Sequence, residues 1–85
     1  MEIVFSRLFK KQFIKLPTKV KSQFENRLRI LTDNIKHPLL NIHTLRGSKY
    51  PLQSMNITGD YRALFITAGN TVTFYEIGTH SELYE

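Results

Sequence analysis

The side chains best suited to chemistry lie near the ends of the segments that the sequence predicts to be β-strands. They are His43, Arg46, Lys49, Asp60, Arg62, His80 and Tyr84. An imidazole exchanges a proton near neutral pH, and guanidinium and ammonium groups bind phosphate. Metal-free RNA cleavage needs a group that removes the ribose 2′-hydroxyl proton, a group that protonates the leaving 5′-oxygen, and cations that stabilise the phosphorane. These residue types match that chemistry if the fold brings them together.

Each of these residues also has a purely structural interpretation. Arg62 could be a surface side chain, or form an ion pair with Asp60 or Glu76, instead of binding an anion. His43 could be a surface or capping histidine, and Tyr84 could serve only in packing. Other kinds of site find less support, because the sequence has neither a P-loop nor a GxGxxG motif. Its histidines also lack metal-ligand spacing, so no metal site is predicted.

The composition predicts one small basic domain over residues 1–85. A chain of 85 residues with 41% hydrophobic residues can bury a single core, and the absence of cysteine excludes disulfides and thiolate metal sites. No apolar run reaches the ~20 residues of a membrane span, and the first residues lack a signal-peptide pattern. We therefore expect a cytoplasmic protein with no membrane partner. The net charge of +5 favours a nucleic acid or an acidic protein as a partner.

Two amphipathic helices are predicted to follow a short strand at residues 2–5. Ser6 is the expected N-cap of the first helix, over residues 7–15. Thr18 is the expected N-cap of the second helix, which should end at His37-Pro38 because the residue before proline is disfavoured in a helix. The apolar residues of the second helix recur at helical spacing: Val20, Phe24, Leu28, Leu31 and Ile35.

Three further strands are predicted at residues 52–58, 61–67 and 71–77, joined by turns at Gly59-Asp60 and Gly69-Asn70. Gly59 is expected to supply the positive φ that a two-residue hairpin turn requires. Such short turns make the strands an antiparallel meander. In the middle strand apolar residues occupy both faces, so both faces should be partly covered or the strand should be bulged.

The order β-α-α-β-β-β predicts an α+β fold, with a helical hairpin packed on a small, mainly antiparallel four-stranded sheet. In an antiparallel meander, the end of the last strand lies beside the turn between the first two. His80 and Tyr84 should therefore share a sheet edge with Asp60, with Arg62 slightly further in. Residues 39–47 are expected to be a connector.

Three short motifs resemble the RelE/ParE superfamily of bacterial toxins from toxin–antitoxin systems. They are Leu45-Arg46-Gly47, Asn56-Ile57-Thr58-Gly59-Asp60-Tyr61-Arg62 and Ile77-Gly78-Thr79-His80-Ser81-Glu82-Leu83-Tyr84. The last motif, and the segment from His43 to Gly47, are most similar to the YafQ-type branch. The order and spacing of the motifs extend the resemblance over the whole chain, which implies a RelE-like fold.

The resemblance implies an mRNA interferase, a metal-independent endoribonuclease that cuts messenger RNA in the ribosomal A site and is inhibited by a cognate antitoxin. It implies no cofactor. His80, His43 and Asp60 match catalytic positions of the YafQ-type branch, and Arg62 matches a phosphate-binding arginine of RelE. Tyr84 takes the place of a C-terminal aromatic residue, which in RelE is a tyrosine with a catalytic part.

Arg46, Lys49 and Asn56 are the predicted RNA-binding residues, and Asn56 departs from the YafQ-type pattern. That branch has a histidine at this position, whereas an asparagine can hydrogen-bond but cannot shuttle a proton at neutral pH. The chain would then rely on Arg62, as RelE does. Two alternatives remain: a non-catalytic ParE-like toxin that inhibits DNA gyrase, and a decayed toxin that binds its antitoxin and cuts nothing.

Overall fold

Two N-terminal helices pack against one face of a five-stranded mixed sheet in the computed structural model, which describes residues 1–84. The elements in chain order are β1 (Glu2–Phe5), α1 (Arg7–Ile14), α2 (Thr18–Asp33), β2 (His43–Thr44), β3 (Gln53–Asn56), β4 (Tyr61–Ala68), β5 (Thr71–Thr79) and α3 (His80–Tyr84). Within the described residues, no helix is long and apolar enough to cross a membrane.

The strand order β1-β5-β4-β3-β2 places the first strand of the chain beside the last one. β5 pairs in parallel with β1 and antiparallel with β4, and β3 and β2 complete the sheet. The predicted α+β fold is confirmed. The sheet has one strand more than predicted, because His43 and Thr44 of the expected connector pair with Ser54 and Gln53 of β3.

Ser6 caps α1 as predicted, since its hydroxyl accepts a hydrogen bond from the Phe9 amide at 3.0 Å. The prediction that Thr18 caps α2 is wrong. Pro17 holds that position without a side-chain hydrogen bond, and its ring fixes a φ of −57° that suits a helix start.

The prediction that α2 extends to His37 is also wrong, because the helix ends at Asp33 and Asn34 is already extended. His37 instead begins a short 3₁₀ turn over Pro38–Leu40. Its Nδ1 atom accepts a hydrogen bond from the Leu39 amide at 3.1 Å.

Phe74 on β5 lies at the centre of an aromatic cluster that joins the helices to the sheet. Its ring centroid is 5.8 Å from that of Phe5, 5.7 Å from Phe9, 5.3 Å from Phe24 and 5.4 Å from Phe65. Phe74 and Phe65 have no exposed surface. These side chains come from β1, α1, α2 and two central strands, so one cluster holds both layers together.

A β-bulge lies between β4 and β5. Leu64 is opposite Glu76 and the next residue, Phe65, is opposite Phe74, so that Tyr75 has no partner on β4. Leu64 and Phe65 are both fully buried although they point to opposite faces of the strand. The expectation that both faces of β4 are covered is therefore confirmed, whereas the extra residue of the bulge, Tyr75, lies on β5 and not on β4. The second hairpin turn is confirmed too, with Gly69 at a φ of 60° between Ala68 and Thr71.

Helix α1 and its N-cap residue supply hydrogen bonds to β5 beyond the point where β1 ends. The hydroxyl of Ser6 donates to the Tyr75 carbonyl at 2.8 Å, and the amide of Ile77 donates to Oε1 of Gln12, also at 2.8 Å. A buried backbone donor needs such a partner. The side chain of Gln12 thus supplies the hydrogen-bond acceptor that a further residue of β1 would otherwise supply to the Ile77 amide.

Gln12→Leu is expected to lower the free energy of unfolding by about 1–3 kcal/mol, the cost of leaving a part-buried donor unpaired. Gln12→Glu keeps an acceptor for the Ile77 amide and serves as the matched control. Urea denaturation followed by circular dichroism measures the difference. Equal urea midpoints for Gln12→Leu and the wild type would show that this hydrogen bond does not stabilise the fold.

Candidate active site

An open cleft of about 430 Å³ lies on the sheet face that α1 and α2 leave uncovered. All of the predicted site residues except Asp60 line this cleft. Its lining comprises Asn41, His43, Leu45, Arg46, Lys49, Asn56, Arg62, His80 and Tyr84. The fold therefore brings together two imidazoles, three cations and a phenol, which come from residues 43–49, β4 and α3. Within residues 1–84, no group of three or more His, Asp or Glu side chains is placed to hold a metal ion.

Asp60 lies in the exposed loop between β3 and β4, outside the lining of the cleft. Its backbone carbonyl accepts a hydrogen bond from the His80 amide at 2.9 Å. The end of β5 thus lies beside the first loop, as the meander predicted. Asp60 therefore contacts His80 only through the main chain. The Asp60 carboxylate forms no hydrogen bond or ion pair with another side chain among residues 1–84.

The strand register places Asn56 and Arg62 side by side on the cleft face. Asn56 is opposite Arg62, and Arg62 is opposite Gly78 on β5. A Cβ atom on Gly78 would lie 3.0 Å from Oε1 of Glu82 and 3.6 Å from Cδ2 of Leu83. The glycine therefore leaves the space in which α3 folds back over the end of the sheet. Oδ1 of Asn56 is buried with no hydrogen-bond partner among residues 1–84.

Arg62 is held by the loop that precedes it. Its Nη1 atom donates to the carbonyls of Thr58, Gly59 and Tyr61 at 3.0, 3.2 and 3.1 Å. The predicted two-residue turn is wrong, because β3 ends at Asn56 and Gly59 does not have positive φ. The longer loop directs its carbonyls toward the guanidinium, and no hydrogen bond from Nη2 or Nε is recorded within residues 1–84.

Lys49 forms an ion pair with Glu76, with 3.3 Å between Nζ and Oε2. The structural interpretation that paired Arg62 with Asp60 or Glu76 is therefore wrong. The Lys49 and Glu76 side chains are 32% and 23% exposed, so water and salt weaken their attraction. A phosphate group entering the cleft would compete with Glu76 for Lys49.

His43 is oriented by Asn41, which lies two residues before β2. Its Nδ1 atom lies 3.2 Å from the carbonyl oxygen of Asn41, which has the left-handed conformation with a φ of 46°. Because a carbonyl can only accept, this contact puts the proton of a neutral imidazole on Nδ1. The Nε2 lone pair is then available to take up a proton.

His80 and Tyr84 lie one turn apart on α3, a helix that the sequence reasoning missed. Their rings meet edge to face, with centroids 4.6 Å apart. A capping box begins the helix: the Thr79 amide donates to Oε1 of Glu82 at 2.8 Å, and the Glu82 amide donates to Oγ1 of Thr79 at 3.2 Å. The motif Thr-x-x-Glu is the signal that could have predicted this helix.

The hydrogen bonds from Thr79 lower the pKa of the Glu82 carboxyl below its usual value. A carboxyl with a lowered pKa in the folded state stabilises that state above its unfolded pKa and loses this effect as the pH falls through the folded value. The start of α3 should therefore loosen on acidification.

In an NMR titration, the Thr79 amide should shift with a midpoint below the ordinary glutamate range, and Glu82→Gln should abolish that shift. A midpoint in the ordinary range would contradict the capping role.

The sequence does not predict Asn41, Leu45 or Ser54 as parts of the site. Asn41 and Leu45 line the cleft, and the fully buried Ser54 hydrogen-bonds to Tyr84. The left-handed conformation that asparagine tolerates was the available signal for Asn41. A serine within an alternating strand carries no comparable signal.

The sequence matches no protein-family model and no curated protein, but the fold matches known structures over nearly the whole chain. The crystal structure of YafQ from E. coli gives a TM-score of 0.82 at 19% identity, covering 99% of this chain and 98% of that chain. The YoeB/ParE toxin from Agrobacterium tumefaciens gives 0.78 at 14% identity, with coverages of 94% and 99%. The RelB–RelE antitoxin–toxin complex from Methanococcus jannaschii gives 0.73 at 18% identity, with coverages of 95% and 94%. The chain therefore has the fold of the RelE/ParE toxins in its YafQ-like form, as the motifs in its sequence predict.

Proposed function

We propose that this chain is the toxin of a type II toxin–antitoxin system and acts in the cytoplasm as a ribosome-dependent, metal-independent mRNA endoribonuclease. The observation that carries the proposal is the convergence of two histidines and three cations on one cleft: His43, His80, Arg46, Lys49 and Arg62. The likeness to YafQ, RelE and YoeB/ParE supports a toxin of this class.

In the proposed reaction, Nε2 of His43 removes the proton of a ribose 2′-hydroxyl, whose oxygen then attacks the adjacent phosphorus. His80 protonates the 5′-oxygen as its bond to phosphorus breaks. The products are a 2′,3′-cyclic phosphate and a free 5′-hydroxyl. Arg62 and Lys49 stabilise the extra negative charge on the phosphorane. The contact of His43 with Asn41 favours the base role for His43.

The remaining residues of the cleft would bind the RNA. Tyr84 would stack on a base or position the chain, and Arg46 and Asn56 would contact the backbone. Asp60 would act only through its carbonyl contact with His80. In-line attack depends on alignment of the 2′-oxygen with the leaving group. The ribosome, with its rRNA, would supply that alignment to mRNA in the A site.

A cognate antitoxin is the proposed protein partner. The RelB–RelE structure is itself an antitoxin–toxin complex. The net charge of +5 suits an acidic or amphipathic partner chain.

A non-catalytic toxin, either ParE-like and directed at DNA gyrase or decayed and bound only to its antitoxin, is the second candidate. Two observations favour it. Nη1 of Arg62 already donates to three carbonyls and Lys49 already pairs with Glu76, so both of the groups proposed to bind phosphate already have a partner. Asn56 also stands where the YafQ-type branch has a histidine.

Primer extension on a defined mRNA in a purified translation system tests the proposal. Cleavage that requires ribosomes would support it. The cleavage should also be unchanged when the protein and the mRNA have been treated with EDTA before they are added. The same protein should be assayed for inhibition of gyrase supercoiling. Folded protein that cuts no RNA but inhibits gyrase would replace the interferase with the ParE-like alternative. Absence of both activities would favour the decayed toxin.

A further inference from the structure

Ser54 on β3 is a buried polar residue directly beneath the cleft. It has no exposed surface, and it shares the cleft face with Asn56, two residues further along the strand. Burial of a hydroxyl is unfavourable unless it is hydrogen-bonded. The partner here is the Tyr84 hydroxyl, which donates to Oγ of Ser54 at 3.2 Å. The contact links β3 to the last described turn of the chain.

The link matters because α3 has only five residues, and so short a helix is not stable by itself. Two other features fix it. The capping box between Thr79 and Glu82 holds its start, and Leu83 is buried against the sheet. Neither of them fixes the rotation of the Tyr84 ring. The hydrogen bond to Ser54 does, because it restrains the far end of the phenol.

The ring of Tyr84 in turn packs against His80, with centroids 4.6 Å apart and an angle of 65° between the planes. An edge-to-face contact of this kind is directional. His80 is otherwise exposed on α3, and its backbone amide, not its imidazole, is held by Asp60. The orientation of the imidazole therefore depends on the ring of Tyr84.

We infer that Ser54 is a positioning residue, whose hydroxyl anchors Tyr84 and thereby sets the orientation of the His80 imidazole in the cleft. Its effect on catalysis rests on the proposed function, whereas its effect on ring geometry does not. Ser54 touches no substrate in this arrangement. It acts through two contacts, one hydrogen bond and one ring–ring contact.

NMR of the free protein tests the geometry without any RNA. The ring protons of His80 should carry a ring-current shift from Tyr84, and Ser54→Ala should move them at least about halfway toward random-coil values. Tyr84→Phe removes the same hydrogen bond from the other side, so it keeps the test available if Ser54→Ala fails to fold. His37, which lies outside the cleft, is the internal control. Ser22→Ala, at an exposed site on α2, is the matched serine control.

The double variant Ser54→Ala/Tyr84→Phe should shift the His80 signals no further than either single variant. If the two effects add, the hydroxyls act independently and the inference is overturned. Unchanged His80 signals in both single variants would overturn it as well. Signals that move as expected in a protein that cuts no RNA would leave the inference standing and reject the proposed function.

If the protein cleaves mRNA, Ser54→Ala should lower kcat about fivefold, the equivalent of one neutral hydrogen bond, with little change in KM. If Ser54 served only to stabilise the fold, Ser54→Ala would lower the melting temperature, and kcat would not fall while KM stayed the same. A rise in KM at constant kcat would contradict the positioning role.

Discussion

Replacing His80 by alanine is expected to slow ribosome-dependent mRNA cleavage by at least about 100-fold, the lower range for loss of a general acid–base group. His80 lines the cleft together with Arg62, and its own side chain is exposed at the start of α3. The loss should therefore be chemical rather than structural. Single-turnover cleavage of a defined mRNA on programmed ribosomes measures the rate, and thermal unfolding checks that the fold is kept.

His37→Ala is the matched control for this experiment. His37 is a histidine of the same chain that lies outside the cleft and begins a 3₁₀ turn, so its loss should leave the cleavage rate within about twofold of wild type. Equal losses in the two variants, or a His80→Ala rate close to wild type, would remove His80 from the proposed chemistry. Arg62 or His43 would then be the groups to examine.

Phe74→Ala is expected to lower the free energy of unfolding by about 3–5 kcal/mol, the usual cost of removing a buried aromatic ring. Phe74 is fully buried and contacts rings from β1, α1, α2 and β4. Domains are stable by only about 5–15 kcal/mol, and a chain of 85 residues has a small core. The variant should retain little folded protein at 37 °C.

The neighbouring Tyr75 provides the control, because it lies at the bulge with 39% of its surface exposed. Tyr75→Ala should cost far less, about 1 kcal/mol or below. Urea denaturation at 25 °C measures both variants. A Phe74→Ala variant as stable as Tyr75→Ala would mean that the aromatic cluster relaxes to fill the space, and that both layers of the fold are held together elsewhere.

Much of this fold could be predicted from the sequence, because its main elements bury apolar side chains at regular spacing. The pattern from Val20 to Leu31 located α2, and Ser6 located the start of α1. What the sequence reasoning missed depends on contacts between distant residues. The two-residue strand β2 exists only because β3 lies beside it, and α3 is recognisable in the sequence only through its capping box.

The site was predictable by residue type but not by contact. The sequence predicts seven of the nine residues that line the cleft, because strand order determines which strand ends meet. The sequence does not predict that Arg62 donates hydrogen bonds to loop carbonyls. Nor does it predict that Lys49, rather than Arg62, forms the ion pair with Glu76. Those contacts depend on the length of the loop after Asn56 and on the bulge at Tyr75. Asp60, selected for its charge, contacts His80 only through the main chain.

The position of β5 in the sheet has a consequence for the synthesis of the protein. β5 is synthesised after the other four strands, yet it hydrogen-bonds to β1 at one side and to β4 at the other. A nascent chain that has not yet exposed residues 71–84 outside the ribosome therefore lacks the strand that joins its two halves, along with Phe74 and His80. Long-range pairing of this kind cannot begin early. Synthesis should yield neither a stable core nor a complete cleft until these residues emerge, and an interrupted chain would remain unfolded and open to proteases.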